Sequence, residues 1–389
     1  MEFAGITPDM ELLAQLNEDM SFRIAKLEKL AEEQAGESFN LKSPKQLGVI
    51  LFERLQLPVI KKTKTGYSTD AKVLEELYGK HPLIATILEH RKLAKLQSTY
   101  LDGLKPLVNA KTTRIHTHFQ QMVTVTGRLS STDPNLQNIP TRTEEGKQIR
   151  RIFVPGEGFD WLMSCDYSQV ELRILACIAK DELLLESFRH GQDVHARTAA
   201  EVFGVPLEEV SSEMRSRAKA VNFGIVYGIS DFGLAKQLQV SRKEAAGYIE
   251  SYLTRYAGVK KYMDDMIQLA REQGYVSTLM GRRRYLPDIR HSNFNLRSFA
   301  ERTAINTPIQ GTAADIMKKA MIDVQFALEA AKCQSRILLQ VHDELVLEVV
   351  ESEKEQVAEL VRSAMENAVQ LDIPLLADVN FGRNWAETK

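Results

Sequence analysis

Apolar residues along this chain switch between helical spacing and strand alternation, and the switches divide it into regions. From residue 7 to about 105 the spacing is helical. Thr7 with Pro8 reads as a cap followed by proline at the first helical position, and Gly36 closes that helix. Ser43-Pro44-Lys45-Gln46 reads as a capping box ahead of Leu47, Ile50, Leu51 and Leu55, and Pro58 forbids continuation. A basic, turn-rich stretch (61–68) leads to a helix over about 82–102, with Gly103 behind it. Ile115, Thr117 and Phe119 then alternate with His116 and His118, the period of a strand. The stretch TGRLSSTDPNLQNIP (126–140) is poor in apolar side chains and predicts an extended loop rich in hydrogen-bonding groups.

The second half repeats the change of period. Residues 161–165 form a short apolar run ending at Asp166, after which Leu172, Leu175 and Ala179 fall at helical spacing. The region 172–300 reads as helical with glycine punctuation, and 298–324 predicts a further helix interrupted near Pro308. RILLQV (336–341) and LVLEVV (345–350) are separated by His342, Asp343 and Glu344, which predicts a hairpin with two carboxylates at its tip. An amphipathic helix (351–371) and a strand (375–381) follow.

Within the helical middle, Arg215, Lys219, Phe223 and Tyr227 recur every four residues and form one stripe ~18 Å long. Cations fill its first half and rings its second. Fixed cations suit a polyphosphate, and flat rings suit a sugar and base. Taken alone, the stripe also fits core rings with solvated cations, so both readings stand at this point.

Composition narrows the setting more than the function. The 389 residues are 44% hydrophobic and 26% charged, ordinary for a globular protein of two or three subdomains. A formal net charge of -2 gives no bulk attraction for nucleic acid, so any such surface must be local. Three scattered cysteines exclude a disulfide framework or zinc cluster, and neither a signal peptide nor a membrane-spanning run is present. A soluble cytoplasmic protein is expected.

Asp166 and Asp343 each sit where an apolar run ends. Neighbouring strands would bring both to one sheet edge, where like charges resist ionisation unless a cation lies between them. Hard oxygen donors without His or Cys suit Mg²⁺, and two such ions clamp an in-line phosphoryl transfer. A turn aspartate also serves local hydrogen bonding alone. P-loop, GxSxG and HExxH patterns are absent. His195 most simply caps or packs a helix, with phosphate donation as the alternative.

Together, DYSQVELR (166–173), the RxxxKxxxFxxxYG stripe (215–228) and QVHDELVLE (340–348) resemble the three signature motifs of family A DNA polymerases. TGRLSSTDPNLQNIP and TPIQGTAAD match in order, so the resemblance covers essentially the whole chain. It implies an α+β right-hand fold with an antiparallel-sheet palm and helical thumb and fingers. The thumb, with its lead-in to the palm, would be 1–110, the palm 111–171 and 301–389, and the fingers 172–300.

By that resemblance Asp166, Asp343 and the Tyr167 carbonyl hold two Mg²⁺ ions, with Mn²⁺ as a substitute, and Glu344 lies near them. Arg215 and Lys219 grip the triphosphate, Lys219 also protonating the leaving pyrophosphate. His195 and the Gln169 backbone hold phosphates, which selects the second reading of His195. Phe223 lies against the sugar and base, Tyr227 beside the templating position, and Glu171 blocks a ribose 2′-hydroxyl. Phenylalanine at 223, where a tyrosine hydroxyl would replace a missing 3′-OH contact, implies discrimination against dideoxynucleotides.

Arg128, Gln310 and His342 would meet the primer-template near the primer end. Asn135, Gln137, Asn138, Arg142, Arg302 and Asn306 would meet duplex or template, where minor-groove acceptors report pair geometry rather than sequence. Primer-template DNA and dNTPs are the implied partners of a monomer. Neither a proofreading exonuclease nor a 5′ nuclease is expected within this chain. A single-subunit RNA polymerase and an inactive DNA-binding repair scaffold are the alternatives.

Overall fold

The structure is a computed structural model that describes residues 1–389 except Thr65 and Arg142. The duplex contact expected of Arg142 therefore lies outside the described residues. At the centre is an antiparallel sheet of β1 (Trp161–Tyr167), β2 (Arg336–Val341), β3 (Glu344–Val349) and β4 (Ala377–Gly382), in the order β2-β3-β1-β4. The two predicted apolar runs are thus β2 and β3, joined by a two-residue turn in which His342 takes a left-handed φ of 55°.

Every residue of β3 is buried, because both sheet faces are covered. Leu345, Leu347 and Val349 enter one core with helices from 170 onward, while Val346 enters a second core on the opposite face. This explains why the run is continuously apolar rather than alternating. Glu344 at its start and Glu348 within it are the exceptions, and Glu348 has its partners within the core. It is fully buried, yet Arg114 donates to both its oxygens (2.9 and 2.6 Å), Arg336 Nε donates at 2.7 Å and the Gly156 amide at 3.1 Å. A Cβ at position 156 would overlap the Arg114 guanidinium, so only glycine fits there.

The N-terminal region is an arm built on α1 (Met10–Ala35) and α2 (Pro82–Leu96), with its own core of Leu47, Leu51, Leu74 and Ile84. Asp9, rather than Thr7, caps α1 by accepting from the Glu11 and Leu12 amides. Thr7–Pro8 instead pairs with Phe153–Val154, because a sheet edge offers those residues partners that a helix start does not. The capping box at Ser43 is half formed: Ser43 accepts from the Gln46 amide, but Gln46 Oε1 accepts from the Asn40 amide.

Beyond β1 the chain forms α3 (Val170–Ala179), α4 (Val194–Phe203) and α5 (Ser212–Val226). The expected break at Pro308 does not occur. Residues Phe294–Ala330 form one 37-residue helix, α6, with Pro308 inside it. Both flanks of the proline lie in the core (Ile305, Ile309, Ala313 and Ile316), and that burial outweighs the lost backbone bond. Helix α7 (Lys354–Glu366) then covers one face of the sheet before β4.

Candidate active site

Strand register assembles the carboxylates. Glu344 on β3 lies opposite Asp166 on β1, and the Asp343 carbonyl accepts from the Tyr167 amide at 3.0 Å. Asp166 and Asp343 therefore share one sheet edge, as the two strand ends imply. The Tyr167 phenol donates to the Met365 carbonyl inside the core, so only the backbone of this residue faces the edge.

Around this edge the charges are paired unevenly. Lys389 Nζ lies 3.0 Å from Asp166 Oδ2 and 2.9 Å from Glu344 Oε2. Arg128 Nη2 donates to Glu171 at 2.6 Å and stands 3.8 Å from Asp343. Burial, reinforced by Glu344 and Asp343 against the opposing Lys389, pushes Asp166 up to about 6. Burial likewise raises Asp343, with Arg128 opposing and Glu171 adding repulsion. Both carboxyls thus bind a proton more tightly than an exposed aspartate does.

A second group forms over α4 and α5. Asp193 caps α4 through the His195 and Ala196 amides and binds Arg215 Nε at 2.6 Å. Burial pulls the Asp193 carboxyl up, but Arg215 and those amides overcome it and leave it below the usual range. His195 is buried, and Asn222 Nδ2 donates to its Nδ1 at 3.0 Å, which leaves the proton on Nε2. Burial, then the nearby Lys219 cation, brings His195 down to about 4, so its ring is neutral at pH 7. A neutral Nε2–H donor suits a phosphate oxygen.

Phe223 links the two groups. Its ring lies 5.7 Å from His195 and 6.4 Å from Tyr227, nearly parallel to the latter at 19°. Tyr227 caps α5, and its hydroxyl donates to Glu171 at 2.8 Å. Glu171 is 4% exposed, held between Arg128 and Tyr227. Asn306, one turn from Arg302 and Gln310 on α6, donates to the Tyr227 carbonyl at 3.0 Å. Gly228 follows with φ 64°, close against Arg302.

A cleft of about 430 Å³ opens at the carboxylate edge, lined by Asn138, His342, Asp166, Asp343, Glu344 and Lys389. A larger cavity of about 740 Å³, lined by Phe3, Ile322 and Phe326, contains none of these groups. Not every expected surface contact is free. Gln137 is buried, its amide donating to Gln340 and accepting from the Ser131 amide, and Asn135 caps the turn through the Gln137 amide. Gln169 caps α3 in a left-handed conformation, with its Oε1 buried and unpartnered.

A family model of DNA polymerase family A matches residues 10–387. The chain belongs to this family. Among relatives of this polymerase family, it is 56% identical to DNA polymerase I of Bacillus caldotenax and 55% identical to that of Geobacillus stearothermophilus, each match covering the whole chain. The chain spans 44% of the length of those two proteins. The POL domain of Pol1 from M. smegmatis, solved in complex with DNA primer-template and dNTP, superposes with a TM-score of 0.94 at 48% identity. That match covers the whole chain and 68% of the other. The family-A right-hand architecture is thereby the fold of this chain.

Three residues at the site escape a reading of motifs. Asp193 had a helix-capping signal in Asp-Val-His-Ala, but nothing in it foretold the bond to Arg215. Asn222 lies on α5 off the four-residue stripe. Lys389 carries no local signal at all. Among the described residues, no three His, Cys, Asp or Glu side chains converge as a ready metal cage, and no helix is long and apolar enough to cross a membrane.

Proposed function

We propose that the chain is a template-directed DNA polymerase that extends a primer 3′-hydroxyl with dNTPs and releases pyrophosphate. The observation that carries this reading is the β1–β3 register, which sets Asp166 and Asp343 at one edge within a connected path to the stripe on α5. Residues 1–110 would act as thumb, 111–171 and 301–389 as palm, and 172–300 as fingers.

Two carboxylates of raised pKa beside a backbone carbonyl fit Mg²⁺, which takes few protein ligands and keeps waters and phosphates. Asp166, Asp343 and the Tyr167 carbonyl would hold it, and Mn²⁺ suits the same oxygens. When bound, the ions supply Lewis-acid stabilisation of the attacking and leaving oxygens.

The remaining work belongs to the side chains. Arg215 and Lys219 neutralise the triphosphate, His195 donates through Nε2, and the Gln169 amide at the start of α3 adds a phosphate donor. Lys219 places a proton within reach of the leaving pyrophosphate. Phe223 packs the sugar and base, and Tyr227 stands at the templating position. Glu171, fixed by Arg128 and Tyr227, fills the volume of a ribose 2′-hydroxyl and selects dNTPs. Arg128, His342, Gln310, Asn138, Arg302 and Asn306 are the surfaces offered to primer-template, while Gln137 and Asn135 hold the loop that presents Asn138.

Arg215 is tied to Asp193 in this conformation. Gripping a triphosphate requires Arg215 to exchange that partner, and a stripe that acts as a lid would make the exchange on closure. Primer extension with Mg²⁺ tests the whole reading. The parent should extend with dNTPs and not NTPs, and Asp343→Ala should lose extension. No extension by the parent would favour the inactive DNA-binding scaffold, extension by Asp343→Ala equal to the parent's would overturn the role of Asp343, and equal use of NTPs would favour the RNA polymerase.

A further inference from the structure

The cation that Asp166 and Glu344 share in this structure is a side chain. Lys389 Nζ bridges them at 3.0 and 2.9 Å, while its own side chain is one-third exposed. The bridge is delivered from a rigid base. Trp385 is fully buried, stacked under the Arg150 guanidinium at 4.1 Å and edge-on to Phe153 at 5.6 Å. Asn384 caps the turn that follows by accepting from the Ala386 amide, and the buried Thr388 hydroxyl donates to the Trp385 carbonyl at 2.9 Å. Glu344 itself is anchored by the Ser164 hydroxyl at 2.6 Å. Only Asp166, 41% exposed, can leave the bridge without breaking a buried contact.

We propose that Lys389 is a tethered counter-ion for the carboxylate edge, neutralising Asp166 and Glu344 in the nucleotide-free protein and releasing Asp166 to a divalent cation. The inference rests on the polymerase reading of Asp166 as a metal ligand. Lys389 then keeps Glu344, which stays buried and paired while Asp166 turns to the ion. Such a device weakens metal binding to the free protein, because an incoming ion meets both an ammonium charge and an occupied ligand. Metal delivered together with a triphosphate brings its own anionic ligands and overcomes that opposition. Lys389 is therefore a positioning residue that couples metal occupancy to the nucleotide.

The test is Mn²⁺ binding to the nucleotide-free protein, followed by the paramagnetic signal of the free ion, in the parent, Lys389→Met, Lys389→Arg and Asp166→Ala. Lys389→Met keeps the stem and removes the charge. It should bind Mn²⁺ about fivefold more tightly than the parent, the equilibrium equivalent of one partly exposed ion pair. Lys389→Arg should stay within about twofold of the parent on the same scale. Thermal melting in chelator gives a second readout: Lys389→Met should melt below the parent, and Mg²⁺ should raise its midpoint by more. Unchanged or weaker Mn²⁺ binding by Lys389→Met, with Asp166→Ala still abolishing binding, overturns the role of Lys389 alone. Binding by Asp166→Ala as tight as the parent's overturns the metal-site reading as well.

Discussion

Replacing Asp193 by asparagine separates two jobs that one carboxylate performs. Asparagine caps helices about as well as aspartate, so the bonds to the His195 and Ala196 amides should persist with little loss of stability. The ion pair with Arg215 cannot. That pair is short, 2.6 Å, but its side chains are 41% and 45% exposed, which limits its worth to about 0.5–1 kcal/mol. If Arg215 must leave Asp193 to reach the triphosphate, this energy is subtracted from nucleotide binding in the parent. Asp193→Asn should then lower the KM for dNTP about two- to fivefold, since 1.4 kcal/mol corresponds to tenfold. The assay is single-nucleotide primer extension at varied dNTP, repeated from low to high salt. The advantage should shrink in 1 M salt, where the screening length falls to about 3 Å. Asp193→Ala should show the same KM change plus about 1 kcal/mol of lost stability from the missing cap. An unchanged or higher KM in Asp193→Asn would mean that Asp193 positions Arg215 for the phosphates, and the exchange of partners would be wrong.

Other expectations follow from the same geometry. Glu171→Ala removes the side chain that would meet a 2′-hydroxyl, so the preference for dNTP over NTP should fall at least tenfold in competition assays; an unaltered ratio would remove Glu171 from sugar selection. Phe223→Tyr should raise dideoxynucleotide use about tenfold, the worth of one hydrogen bond, read from chain-termination ladders. An aspartate whose folded pKa is raised binds its proton more tightly than the unfolded chain does, so the contribution of Asp166 to the stability of the metal-free protein should fall as pH rises from about 4 through 6. Asp166→Asn should therefore melt higher than the parent at pH 7.5 in chelator and match it at pH 4. The opposite ordering would mean that Lys389 outweighs burial. Arg114→Ala breaks the pairing of fully buried Glu348 and should cost about 3 kcal/mol in urea melts; a cost below 1 kcal/mol would show that Arg336 and the Gly156 amide suffice.

The parts of this site that the chain announced are those governed by short-range periodicity. The β2–β3 hairpin, Asp343 in its turn, the strand ending near Asp166 and the four-residue stripe all follow from the alternation of apolar and polar positions. Their meeting followed too, because adjacent strands leave few places for the two aspartates to go. What remained hidden depends on contacts between distant segments. Nothing near Glu348 says that an arginine from position 114 will meet it, and nothing near Lys389 points to Asp166. Pro308 misled for the same reason: a local rule against proline in helices gave way to burial on both flanks. Thr7 and Asp9 compete as caps, and the sheet partner at Phe153–Val154 decides between them. Gln137 looked like a base-reading amide, yet its side chain is spent on Ser131 and Gln340.

The buried Glu348 has a bearing on how faithfully the carboxylate edge is built. Glu348 lies on β3 five residues beyond Asp343, which sits in the turn that leads into the strand, ~17 Å away at 3.4 Å per residue. If β3 slipped by one position, Leu347 or Val349 would face the two guanidiniums of Arg114 and Arg336, and Arg114 would be left buried without a counter-charge. The same slip would replace Asp343 at the opposite end with His342 or Glu344. An error in alignment that displaces the carboxylates at one end is thus penalised electrostatically at the other. Misregistered sheets should be rare among folded molecules, and the population should behave as a single species of full competence rather than a mixture of graded activities.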